Sequence, residues 1–226
     1  MHKPVITCKG IKKTYGSGDH QVEALKDIDL DIYPECLTLI VGPSGSGKTT
    51  LLSILMTILT PDEGELIIFD KDIHTMSIDE KAEFRNQNLG IVFQSLFLIP
   101  SLSVIENVIL PLTIAGTAEN ISLEKAQSLL DQLHIGQKAN DPPEELSKGQ
   151  QQRVAIARAL VNDARILVCD EPTSALDEST GAESMKLLKA IAQNSGCAVV
   201  VVTHDQRTFP YANRIVELND GRITSG

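Results

Sequence analysis

Long apolar runs are missing from this chain. No stretch approaches the ~18 consecutive apolar residues of a membrane-spanning helix, so no span is expected. The opening Met1-His2-Lys3-Pro4-Val5-Ile6-Thr7-Cys8 lacks the apolar centre of a secretory leader. Basic residues are scarce too: 20 Lys and Arg against 30 Asp and Glu give a formal charge of −10. That balance excludes a grip on nucleic acid through a diffuse basic surface. Cysteine is limited to Cys8, Cys36, Cys169 and Cys197, with no C-x-x-C, and three of them (8, 169 and 197) lie in or beside apolar runs. They read as buried, reduced thiols of a cytosolic protein. Internal repeats and low-complexity tracts are absent. What remains is an ordinary globular composition, 42% apolar over 226 residues, long enough to bury about 70% of the unfolded surface without staples.

Short apolar segments alternate with helical ones. Residues 5–8 read as a first strand, and the alternation at 28, 30 and 32 makes 22–32 a half-exposed second one. Residues 38–41 are an apolar run that stops at a Gly-rich loop. The next helix is expected from about Lys48, with Leu51, Leu52, Ile54, Leu55, Ile58 and Leu59 apolar on most sides, until Pro61 ends it. Such a helix is buried between layers. Further strands are expected at 65–69, 89–93, 165–169 and 198–202, and helices over about 77–87, 147–162 and 178–194. A last hairpin over 214–224 turns at Asn219-Asp220-Gly221. Residues 95–145 break the alternation, being mostly helical and punctuated by Gly116 and Pro142-Pro143. The pattern predicts an α/β fold with a mostly parallel sheet covered on both faces. It is read as one domain over 1–226, with its core at 1–94 and 146–226 and a helical subdomain inserted at 95–145.

Gly42-Pro43-Ser44-Gly45-Ser46-Gly47-Lys48-Thr49 fits G-x-x-x-x-G-K-[ST] between a strand and a helix, the context a phosphate-binding loop requires. Glycines let successive N–H groups turn inward, and the helix N-terminus adds partial positive charge. Lys48 would reach the β- and γ-phosphates of ATP and Thr49 would offer its hydroxyl to Mg²⁺, with Thr50 beside them. Asp170 ends the apolar run 166–169, where a second Mg²⁺-directed carboxylate belongs. Glu171 follows and can accept a proton from an attacking water. The same acidic pair also reads, more plainly, as the start of a helix.

Between these motifs lies Leu146-Ser147-Lys148-Gly149-Gln150-Gln151-Gln152-Arg153. It resembles the Leu-Ser-Gly-Gly-Gln signature of ABC-type ATPases, with Lys148 in place of the first glycine. Physically it is a second anion site: Ser147 caps the helix, Gly149 allows close backbone approach, and the positive helix end faces a phosphate. The resemblance covers essentially the whole chain. It implies the ABC ATPase fold, a P-loop NTPase core with an antiparallel N-terminal β part. It also implies that Gln94 contacts Mg²⁺ and water, that Ser174-Ala175-Leu176-Asp177 is the D-loop, and that His204 contacts the γ-phosphate. Tyr15 would stack on adenine, with Val22 in the same pocket. Segments 16–25 and 93–108 are most similar to the branch of lipoprotein-release, macrolide-export and cell-division ATPases, although Met56-Thr57-Ile58-Leu59-Thr60-Pro61 replaces that branch's usual Gly-Gly-Leu-Asp.

By the same resemblance, ATP binding would join two copies. Each ATP would lie between the P-loop of one and the partner subunit's Ser147, Lys148, Gly149, Gln150 and Asp177. Glu171, His204, Lys48 and Gln94 would carry the hydrolysis. The implied setting is the cytoplasmic face of the inner membrane, against a separate integral membrane permease, exporting or extracting a lipid, lipoprotein or hydrophobic compound. A mechanotransmitting ATPase that moves no substrate satisfies the same residues. A chromosome or repair ATPase does not, since the P-loop and signature are not separated by heptads, and a small-molecule kinase needs no signature. The apolar run Leu96-Phe97-Leu98-Ile99-Pro100 reads two ways, as a docking surface or as subdomain core.

Overall fold

The computed structural model describes residues 3–226. In chain order they form β1 (Ile6–Tyr15), β2 (Val22–Ile32), β3 (Leu37–Val41), α1 (Lys48–Leu55), β4 (Glu63–Ile68), β5 (Lys71–Asp72), α2 (Ile78–Asn88), β6 (Leu89–Val92), α3 (Val104–Ile114), α4 (Glu119–Gln132), α5 (Lys148–Leu160), β7 (Ile166–Asp170), α6 (Glu178–Ser195), β8 (Ala198–Thr203), β9 (Arg214–Asn219) and β10 (Arg222–Ser225). These strands form two sheets. An antiparallel sheet has the order β2-β1-β4-β5, and a six-stranded sheet has the order β10-β9-β3-β8-β7-β6. All neighbours in the second are parallel except the β9–β10 hairpin.

Alternation along the central strands feeds two cores. Ile40, Val168, Val200 and Val202 face α1 and the antiparallel sheet, burying Ile6, Ile11, Leu25 and Ile28 with Leu51, Leu52, Ile54 and Leu55. Leu39, Val41, Leu167, Cys169, Val199 and Val201 face α3–α6 on the other side. A sheet covered on both faces needs continuous apolar strands, and β3 and β8 are buried throughout. In the insert, α3 and α4 pack on α5, and α5 packs on β6, so the signature helix joins insert to core. Among the described residues no helix is long and apolar enough to cross a membrane.

Two expectations are corrected. The helix after the Gly-rich loop ends at Leu55, well short of Pro61. Thr57 turns left-handed at φ 57°, Ile58 and Leu59 N–H both return to the Ser53 carbonyl, and Arg85 donates to the Thr57 carbonyl at 2.9 Å. The apolar period runs on because buried Met56 and half-buried Leu59 pack against the core as a turn. The first strand is longer than 5–8, continuing to Tyr15 through an irregularity between Cys8 and Ile11, where Gly10 has φ 59°. Its polar outer positions are paired with β4 and the residue before it, as Lys12–Glu63 and Lys13–Asp62. The thiols stand as expected: all four are free, and Cys8, Cys169 and Cys197 are buried. Burial pushes the Cys8 and Cys197 thiols up to about 12, which keeps them protonated and inert.

Candidate nucleotide site

Four parallel strands end side by side, and each delivers one motif to the same edge. β3 leads into Gly42, β8 into His204, β7 into Glu171 and β6 toward Gln94. An open cleft of ≈ 730 Å³ lies there, lined by Tyr15, Pro43, Ser44, Gly45, Gly47, Lys48, Thr49, Thr50, Gln94, Asp170, Glu171 and His204. This is the crevice beyond the carboxyl ends of the strands in which α/β proteins hold ligands.

The loop itself is braced from behind. Lys48 Nζ donates to the carbonyls of Gly42 (2.8 Å) and Pro43 (2.7 Å), which leaves one of its three N–H groups free of them. A Cβ on Gly42 would sit 2.0 Å from the Leu218 carbonyl oxygen, so the loop lies directly on β9. Gly221, at the tip of the last hairpin, donates to the Ser46 carbonyl at 3.0 Å. Ser46 Oγ is buried and has no hydrogen-bond partner among the described residues. Burial lowers the Lys48 ammonium below its ordinary range, against the opposing charges of Glu171 and Asp170. Burial also raises the Asp170 carboxyl, and the Glu171 charge adds to that.

Glu171 is the strained residue of the edge. Its φ of 48° is left-handed, a conformation that side chains larger than Gly rarely adopt and that neighbours must hold. Glu171 N–H donates to the Val202 carbonyl (2.9 Å), and Ser174 Oγ donates to the Glu171 carbonyl (3.0 Å). The carboxylate meets the ring of His204, Nδ1 to Oε1, at 2.7 Å. Gln94 Nε2 reaches Ser174 Oγ at 3.5 Å. At the far end, Tyr15 hydroxyl stands 3.4 Å from Thr50 Oγ1. Val22 is opposite Tyr15 in register but 62% exposed and outside the cleft, whose lining includes Ala24 instead.

The signature residues do not join this cleft. Ser147 caps α5: its Oγ accepts from Gln150 N–H (3.3 Å), and Gln150 Oε1 accepts from Ser147 N–H (2.9 Å). Lys148 lines a neighbouring cavity of ≈ 470 Å³ between residues 93–98 and 171–176, which meets the cleft at Gln94 and Glu171. Gly149 lies against α6, where an added Cβ would come within 2.4 Å of Thr180 Cγ2. Asp177 caps α6, accepting from Thr180 N–H, Thr180 Oγ1 and Ser179 Oγ, and these bonds hold its carboxyl well below the usual range.

Two residues that fix this edge, one in segment 93–108 and one in the signature helix, carried no assigned role in the sequence. Asn107 is fully buried in α3; its Oδ1 accepts from Ile99 N–H at 2.7 Å, and its Nδ2 donates to the carbonyls of Ile99, Leu102 and Ser103. Arg158 of α5 donates to the carbonyls of Leu96 and Phe97. Their one signal was a polar residue inside an apolar helical pattern. With the loop so pinned, both readings of residues 96–100 hold in part. Leu96 and Leu98 pack inward, whereas Phe97 and Ile99 are 66% and 39% exposed.

The family model described as "ABC transporter" matches residues 25–174. The chain is 41% identical over 224 residues to a macrolide export ATP-binding/permease protein of Wolinella succinogenes, covering 99% of the chain and 35% of that relative. It is 44% identical over 226 residues to a pyoverdine export ATP-binding/permease protein of Pseudomonas syringae pv. tomato, covering 100% of the chain and 34% of that relative. The chain thus spans about a third of the length of these curated relatives. Among solved structures it is similar to the dimeric bacterial ABC transporter cassette MJ0796 (TM-score 0.88, 40% identity, 97% of each chain). A second dimeric structure of that cassette, in a post-hydrolysis state bound to ADP and Pi, matches with TM-score 0.87, 40% identity and the same coverage. CbiO1 from Clostridium perfringens, part of the ABC transporter complex cbiONQ, matches with TM-score 0.90 and 30% identity over 99% of this chain and 88% of its own. With the family model matched over residues 25–174 and a solved cassette 40% identical over 97% of each chain, the chain belongs to the ABC transporter family, as an ABC-type ATPase.

Proposed function

We propose that two copies of this chain close on two ATP molecules, each held by the P-loop of one copy and by the partner subunit's Ser147, Lys148, Gly149, Gln150 and Asp177. The closure would drive a membrane-embedded permease that exports a hydrophobic compound. One observation carries the reading: Lys48, Thr49, Asp170, Glu171 and His204 share one open cleft that no signature residue lines. The capped N-terminus of α5 is therefore left for a nucleotide held by another chain. The dimeric forms of the similar cassette support the pairing. The macrolide and pyoverdine export named for the relatives supports the class of cargo.

On this reading Tyr15 stacks on adenine, with Val22 at the rim, and Gly42, Pro43, Ser44, Gly45, Ser46, Gly47 and Thr50 wrap the phosphates with backbone N–H and hydroxyl donors. The partnerless Ser46 hydroxyl is a donor that such a ligand would satisfy. Lys48 uses its remaining N–H on the β- and γ-phosphates. With His204 Nδ1 against Oε1, Glu171 keeps its second oxygen for the attacking water. His204 presents its other ring nitrogen toward the γ-phosphate.

Thr49, Asp170 and Gln94 supply one hydroxyl, one carboxylate and one amide oxygen to the cleft. Among the described residues no cluster of three or more His, Cys, Asp or Glu forms a metal cage. So sparse a donor set fits Mg²⁺, which keeps water and phosphate oxygens in its shell. When bound it offsets charge on the phosphates. Exposed Phe97 and Ile99 suit the permease contact, and the working place is the cytoplasmic face of the inner membrane. The test is sedimentation of Glu171→Gln, which keeps the phosphate site and loses the base. Saturating ATP and Mg²⁺ should convert it from monomer to dimer, and a persistent monomer overturns the paired arrangement.

A further inference from the structure

Three bonds run like rungs between the chain leaving β7 and the chain leaving β8. The first is Glu171 N–H to the Val202 carbonyl at 2.9 Å. The second is the Glu171–His204 contact at 2.7 Å. The third is Thr173 Oγ1 donating to Asp205 Oδ2 at 3.3 Å. The middle rung holds the reacting side chains, and it is the least supported. His204 is largely exposed, and among the described residues its ring has Glu171 as its hydrogen-bond partner. Glu171 meanwhile sits in a left-handed backbone that its neighbours must hold.

The third rung is built more firmly. Thr173 is 3% exposed. Its methyl side lies on α6, 3.6 Å from where a Gly181 Cβ would be, and its carbonyl accepts from Leu176 N–H at 3.1 Å. Asp205 is fixed from the other direction. Its carboxylate accepts from Arg207 Nη2 at 2.8 Å, its N–H donates to Thr203 Oγ1 at 3.0 Å, and its carbonyl accepts from Thr208 Oγ1 at 2.7 Å. The bond therefore joins two immobilised segments, one residue past His204 and two past Glu171.

We propose that the Thr173–Asp205 hydrogen bond is a strap that keeps Glu171 and His204 in register for the attack of water, which makes Thr173 and Asp205 positioning residues of the hydrolysis. The proposal rests on the reading of Glu171 as the base. Neither residue lines the nucleotide cleft, so the strap acts on turnover and not on ATP binding. It also ties the His204 loop to the D-loop at Ser174–Asp177, so that contact of a second copy with that loop reaches the hydrolytic pair through Thr173.

Steady-state ATP hydrolysis of four variants separates hydroxyl from packing. Thr173→Val keeps the methyl on Gly181 and loses the donor; Thr173→Ser keeps the donor and loses the methyl. Thr173→Val should lower kcat about tenfold with KM for ATP within about twofold, as expected for loss of one long hydrogen bond to a carboxylate. Thr173→Ser should stay within about threefold of the unmodified chain. Thr173→Val placed on Asp205→Ala should add little to the loss of Asp205→Ala alone, because both remove the same bond. An unchanged kcat in Thr173→Val, an equal loss in Thr173→Ser, or strictly additive losses would each overturn the strap. Glu171→Gln in the same assay tells the two failures apart: full turnover there removes the base and the strap together, whereas a dead Glu171→Gln beside a fully active Thr173→Val removes the strap alone.

Discussion

Gly149→Ala is the substitution on which helix propensity and structure disagree most sharply. Gly149 is the second residue of α5 and its φ is not positive, so propensity alone would reward alanine by up to ~1 kcal/mol. The structure opposes this. An added Cβ comes within 2.4 Å of Thr180 Cγ2, and Thr180 cannot turn aside freely because its Oγ1 and N–H are both held by Asp177, at 2.7 Å and 3.0 Å. Overpacking of this kind costs ~1–3 kcal/mol. Set against a propensity gain of ~1 kcal/mol, the net loss is about 0–2 kcal/mol, which lowers Tm by up to about 8 °C for a chain of this size. Thermal melting followed by circular dichroism reads the shift. In a Thr180→Ser background the clashing methyl is gone while the hydroxyl stays, so Gly149→Ala should there be neutral or stabilising by up to ~1 kcal/mol. A raised Tm in the unmodified background, or the same loss in both backgrounds, refutes the reasoning.

Lys48→Ala should abolish ATP binding by fluorescence titration while leaving circular dichroism unchanged, since it removes the loop's fixed charge; normal affinity would refute the reading of the loop. Asp177 is held below its ordinary value by its capping bonds, so its stabilisation is full above ~3.9, the ordinary aspartate value, and fades as pH falls through the native one. Asp177→Asn should therefore lower Tm at pH 7, and the deficit should narrow in acid; a constant deficit excludes the ionised cap. Lys148→Glu should weaken ATP-driven dimerisation by ~1–2 kcal/mol at low salt, where a cation faces the partner's nucleotide, and by less at high salt. Equal dimerisation constants would make this lysine a bystander.

The candidate site was legible in the sequence because its residues sit in contiguous motifs at strand ends. Gly42–Thr49, Asp170-Glu171 and His204 each close an apolar run, and parallel pairing of β3, β8 and β7 brings them to one edge. Contacts distant in sequence were not legible. Asn107 and Arg158 act on backbone carbonyls of the loop after Gln94, and a carbonyl acceptor leaves no trace in residue type. The end of α1 was hidden for a related reason, because Met56 and Leu59 are as apolar in a turn as in a helix, and a left-handed Thr57 has no composition cue. Gly149 was read for approach to a phosphate, whereas the chain also needs it for the close contact with Thr180.

The paired site is tested most directly by mixing two inactive variants. Lys48→Ala spoils the P-loop and leaves the signature; Ser147→Arg fills the signature's phosphate space and leaves the P-loop. Neither should hydrolyse ATP alone. A mixed pair contains one intact site, made from the P-loop of the Ser147→Arg copy and the signature of the Lys48→Ala copy. The account expects ATP turnover to reappear on mixing, highest near equal proportions, and a mixture as inactive as its components at every ratio would contradict it.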